Sequence, residues 1–122
     1  MRHAVRLTAV LVFALAAGPV HGQKVAKEAE VAEKAESRAL QWATDTGKVA
    51  GGATYCAMDV EVVEEYISIA QAKIAATAND NVDRVVARIE FGNIFNVASS
   101  QEPLGGCENF AQLFPQEVRK LN

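Results

Sequence analysis

Histidine is the scarcest chemical resource in this chain. There are two, His3 and His21, and both fall within the first 22 residues. The rest of the chain therefore has no imidazole for acid–base catalysis or for metal ligation. The two cysteines, Cys56 and Cys107, are far apart, so there is no Cys-x-x-Cys redox pair and no Cys-x-x-Cys-His haem attachment. The eight glycines form no phosphate-binding loop. Basic residues are outnumbered, 12 against 15 acidic, which argues against a nucleic-acid surface. The expectation is a non-enzymatic protein with no cofactor, no metal and no nucleic-acid partner.

What is present begins with the opening 22 residues, MRHAVRLTAVLVFALAAGPVHG. Arg2 and Arg6 supply a positive start. Ala9 to Ala17 is unbroken apolar sequence. Gly18 and Pro19 break it, and Val20-His21-Gly22 suits a signal peptidase. These are the parts of a secretory signal in their usual order, so residues 1–22 are read as a signal peptide. The apolar run is short of the roughly 18–20 residues a membrane span needs, and no later segment is apolar enough to span. The expected product has no membrane span after cleavage and is periplasmic or secreted.

Residues 23–50 are read as an N-terminal amphipathic helical arm and linker. Ala, Glu and Lys dominate from Lys24 to Thr46, and all favour helix. Val25, Ala29, Ala32, Ala35, Ala39 and Trp42 form a narrow stripe at helical spacing. Asp45-Thr46-Gly47 predicts a helix stop, and Gly51-Gly52 a flexible break.

Residues 51–122 are read as a helical hairpin with a C-terminal lid. Asp59 is placed to cap a helix over Val60 to Ala78, whose core face is Val63, Tyr66, Ile67, Ala70 and Ile74. Asn79-Asp80-Asn81 marks a turn. Asp80 then caps a helix from Val82 to Ala98, with Asp83 three residues on. Val82, Val85, Val86 and Ile89 define its first apolar face, and Phe91, Ile94, Phe95 and Ala98 broaden it. Apolar residues on so much of the circumference predict burial on more than one side, with the arm or the C-terminal segment covering Phe91 and Phe95. A short connection implies antiparallel helices, which brings Cys56 and Cys107 to one end of the hairpin. An intramolecular disulfide closing about 50 residues contributes roughly 4 kcal/mol. Glu108 to Leu113 predicts a short helix, and Pro115 the start of a last turn or two. Phe110, Leu113 and Phe114 are expected to lie over the hairpin core. The fold class is all-α: a small antiparallel hairpin or bundle of three to four helices, closed by one disulfide and preceded by a signal peptide.

Few groups remain for chemistry. Glu61, Glu64 and Glu65 read as a solvated helix face. Asp80, Asn81 and Asp83 look like a fragment of a calcium loop but lack its glycine and distal glutamate, so capping explains them better. The expected function is a protein-binding or envelope accessory module acting on an unidentified protein or peptide through Trp42, Phe91 and Phe95. One alternative is an accessory subunit of an envelope enzyme. Another is an acid-stress holdase: the exported, helical, single-disulfide outline, with Thr54-Tyr55-Cys56 leading into the first cysteine, resembles that of the small periplasmic acid chaperones. That resemblance implies a fold that opens as its carboxylates protonate.

Overall fold

The computed structural model describes residues 36–122. The signal peptide and residues 23–35 of the arm lie outside the described residues. The described part is all-helical, with four helices: α1 (Arg38–Tyr55), α2 (Val60–Thr77), α3 (Asn81–Ala98) and α4 (Gly106–Leu121).

Three of the four helices begin on a side-chain cap. The Leu40 N–H donates to the Ser37 hydroxyl at 3.0 Å, the Val62 N–H to Asp59 at 3.1 Å and the Asp83 N–H to Asp80 at 2.8 Å. Each satisfies one of the donors that a helix start leaves unpaired. Asp83 reaches back to accept the Asn79 N–H at 2.8 Å, so the α2–α3 turn is tied from both sides. The fourth helix has no such cap. Gly105 precedes it at φ 85°, a left-handed backbone that glycine adopts without steric cost.

The predicted stop at Asp45-Thr46-Gly47 and the break at Gly51-Gly52 are not there. α1 runs through both as one helix of 18 residues. Two of its hydroxyls bond within the helix, Thr46 to the Trp42 carbonyl and Thr54 to the Ala50 carbonyl. Its glycines serve packing. A β-carbon on Gly47 would stand 3.1 Å from Ile94 and from the Phe91 carbonyl oxygen, and one on Gly52 would stand 2.8 Å from the Phe110 ring. Small residues on α1 let its neighbours approach closely, which repays the entropy that glycine costs inside a helix.

That approach decides the topology. Gly47 meets Phe91 and Ile94, while Gly51 meets Phe95 and Ala98, so α1 and α3 run side by side in parallel. Lys73, late in α2, lies over Trp42, early in α1, so those two are antiparallel. The expected α2–α3 hairpin is therefore opened by α1: α2 and α3 touch each other sparingly, and each packs chiefly on α1. Of the two candidates to cover Phe91 and Phe95, it is α1 that does so.

The core has little bulk. α1 contributes Ala39, Ala43, Ala50 and Ala53, α2 contributes Val63, Tyr66, Ala70 and Ile74, and among the described residues Ile74 is the one large side chain that is wholly enclosed. The lid is present: Phe114 packs on Tyr66 with ring centroids 5.9 Å apart, and Phe110 stacks on Phe114 at 5.8 Å. It is a single helix, since α4 continues through Pro115 where a new start was expected. Proline leaves the Ala111 carbonyl without its helical donor, and both residues are exposed, so water can supply one.

Val82, Val85, Val86 and Ile89 depart furthest from expectation. Their side chains are 71%, 56%, 48% and 58% exposed. The buried face of α3 is instead the Ala87 and Phe91 side. Both faces are apolar, and the close fit against α1 selects the one with smaller and flatter groups.

Candidate functional site

The residues singled out for partner binding are separated by the fold. Phe91 is 5% exposed and belongs to the core. Phe95 is half-buried, stacked on Phe91 with centroids 6.2 Å apart. Trp42 is half-buried elsewhere, with the Lys73 ammonium 5.0 Å from its ring centroid. Cys56 and Cys107 do come together as a disulfide, with Cα atoms 5.3 Å apart, joining the end of α1 to the first turn of α4.

Two surfaces stand out. The first is the exposed stripe Val82, Val85, Val86 and Ile89, spaced i, i+3, i+4 and i+7 on the outer side of α3. Four branched apolar groups in solvent along two helical turns form a contiguous patch rather than scattered exposure. Arg88 and Glu90 border it within the same turns.

The second surface is a cleft of about 460 Å³ between α1, α2 and α4. Trp42, Val49 and Leu121 give it apolar walls, and Asp45, Lys48, Glu117 and Lys120 give it charge. Lys120 donates to Glu117 at 2.6 Å. Tyr66 lines the same cleft, is 3% exposed, and makes no hydrogen bond to the described residues. Burial pushes its hydroxyl pKa well above the usual range, and the carboxylates of Glu117 and Asp45 push it further. Both effects penalise the phenolate.

This cleft escaped sequence reasoning. In the sequence Asp45 belongs to a helix-stop pattern, whereas in a continuous helix Trp42, Asp45 and Val49 share one face. Nothing local pairs that face with Glu117 of α4.

The raised Tyr66 pKa has a consequence for stability. The unfolded chain releases the tyrosine proton near pH 10, while the fold holds it to higher pH. This contribution is fully present below pH 10 and is lost as pH rises through the folded value. Unfolding free energy should fall above pH 10 by up to about 1.4 kcal/mol per pH unit from this group. Denaturant titrations from pH 9 to 11 should show a shallower fall for Tyr66→Phe; equal slopes would mean that Tyr66 is not the group responsible.

Asp83 moves the other way. The Asn79 N–H and then the Ser37 hydroxyl hold its carboxyl below the usual range. Asp80 and Asp83 are thus committed to helix capping. Among the described residues no three His, Cys, Asp or Glu side chains converge as a metal site, and no helix is long and apolar enough to cross a membrane.

The class that these features define is a small all-helical domain clamped by one disulfide. Comparison with protein-family models, curated proteins and solved structures finds no match.

Proposed function

We propose that the protein is a small exported, non-enzymatic binding module that docks a helical segment of another protein on the outer face of α3. The stripe Val82, Val85, Val86 and Ile89 carries this reading. A partner helix with apolar residues at matching spacing would cover it, and Arg88 and Glu90 would fix its direction. Of the residues expected to dock a partner, Phe91 has no surface to offer, and Trp42 and Phe95 are half-buried and lie off this stripe. Export is supported by the three-part leader and by a disulfide of the kind that persists in oxidising compartments. A non-enzymatic role is supported by the composition beyond residue 22, which offers no histidine base for a serine nucleophile and no free thiol once the disulfide forms.

A photo-crosslinking side chain at Val85, exposed to an envelope extract of the host, should give one discrete protein adduct. The same group at the exposed Glu64 on α2 should not. Ile89→Asp should weaken capture by about tenfold or more, while leaving the fold intact because the side chain is already in solvent. Identical adducts from both positions, or an adduct indifferent to Ile89→Asp, would overturn the proposal.

A further inference from the structure

The cleft beside Trp42 is chemically unlike the stripe and independent of it. Its charges are balanced in number, Asp45 and Glu117 against Lys48 and Lys120. They are also distributed along its length. Lys48 borders a second groove that includes Gly52 and Leu104, which places it at one end. Asp45 and Trp42 border a third hollow that includes Arg38 and Thr77, which places them at the other. Asp45 and Lys48 are three residues apart on one helix, about 4.5 Å along its axis. Tyr66 lines the cleft as well, its hydroxyl without a hydrogen bond to the described residues and in a field made negative by Glu117 and Asp45. An oxygen in that setting favours a cationic donor. The volume of about 460 Å³ falls within the range of small-molecule sites.

We infer that this cleft binds a short zwitterion with an apolar side chain, a free α-amino acid or a dipeptide. The ligand ammonium would take the Asp45 end, within reach of the Tyr66 hydroxyl. The carboxylate would take Lys48, and the side chain would lie on the Trp42 wall. A purely cationic ligand would leave Lys48 unanswered, and a purely anionic one would meet Asp45.

Trp42 is the only tryptophan in the chain, so its fluorescence reports on this cleft without a label. The full chain, with its disulfide formed, is titrated with leucine, Leu-Leu, N-acetyl-leucine, leucinamide and N-acetyl-leucinamide. Leucine or Leu-Leu should give a saturable change at or below about 10 mM; which of the two binds more tightly identifies the source of the zwitterion. Blocking either end should weaken binding by about tenfold, and the doubly blocked compound should not bind. Asp45 and Lys48 are exposed, so their neutral variants retain the fold. Lys48→Gln should weaken leucine but not leucinamide, and Asp45→Asn should weaken leucine but not N-acetyl-leucine. Tyr66→Phe should weaken ligands bearing a free ammonium. The inference is overturned if no zwitterion gives a saturable response, if blocked and free compounds bind alike, or if the two charge variants fail to discriminate between the ends.

Discussion

Replacing Cys56 and Cys107 together by serine is expected to lower the thermal midpoint by roughly 15–30 °C. The bridge spans a sequence separation of 51, and closing a loop of that length removes unfolded-chain entropy equivalent to about 4 kcal/mol. Total stability for a domain of this size is about 5–15 kcal/mol. The share is large here for a structural reason. α4 has no side-chain N-cap, and it is held through the disulfide at its start and the aromatic and aliphatic contacts of Phe110, Phe114 and Leu121 further on. The interior it covers is built mainly from alanine, which buries little apolar area per residue. Circular dichroism melts of the oxidised protein, the reduced protein and the double serine variant check this. The reduced and serine forms should melt together, well below the oxidised one. A displacement under about 5 °C would show that α4 is held by packing alone.

The extent to which the fold was legible follows the locality of its signals. The caps at Asp59 and Asp80 act over three residues, so the starts of α2 and α3 could be read directly. The disulfide could be read because the short turn after α2 makes α2 and α3 antiparallel, which puts Cys56, before α2, and Cys107, after α3, at the same end. Cys56 ends α1, which runs parallel to α3, and Cys107 follows α3 shortly after. The continuity of α1 was not legible, because a glycine in a helical pattern looks the same whether it breaks a helix in solvent or seats one helix against another. The two apolar faces of α3 pose the same problem. Periodicity shows that Val82, Val85, Val86 and Ile89 share a face, but only the position of α1 shows that it is the outer one. The cleft was least legible of all. Trp42, Tyr66 and Glu117 come from three helices that no local pattern relates.

The close packing of α1 on α3 makes a prediction opposite in sign to helix propensity. Alanine is better than glycine inside a helix by about 1 kcal/mol, so Gly51→Ala should stabilise α1 if propensity governed. A β-carbon there would lie 2.5 Å from the Ala98 β-carbon, 2.7 Å from the Phe95 carbonyl oxygen and 2.9 Å from the Ser99 nitrogen. Two of those three atoms are backbone, and none can rotate away. The helices must separate, which loosens the contact on which α3 depends. Overpacking of this kind costs about 1–3 kcal/mol, and the rigid neighbours place Gly51→Ala at the upper end or beyond it, outweighing the propensity gain. The expected result is a loss of about 2–3 kcal/mol and a fall of roughly 10–20 °C in the midpoint. Gly92→Ala is the matched control. It lies inside α3 with nothing within 4 Å of a built β-carbon, so propensity acts unopposed and the midpoint should rise by a few degrees. Paired denaturant titrations of the two variants give the answer. A Gly51→Ala protein as stable as the parent would mean that α1 and α3 do not meet along the Gly51–Ala98 line, and the central position of α1 would fall with it.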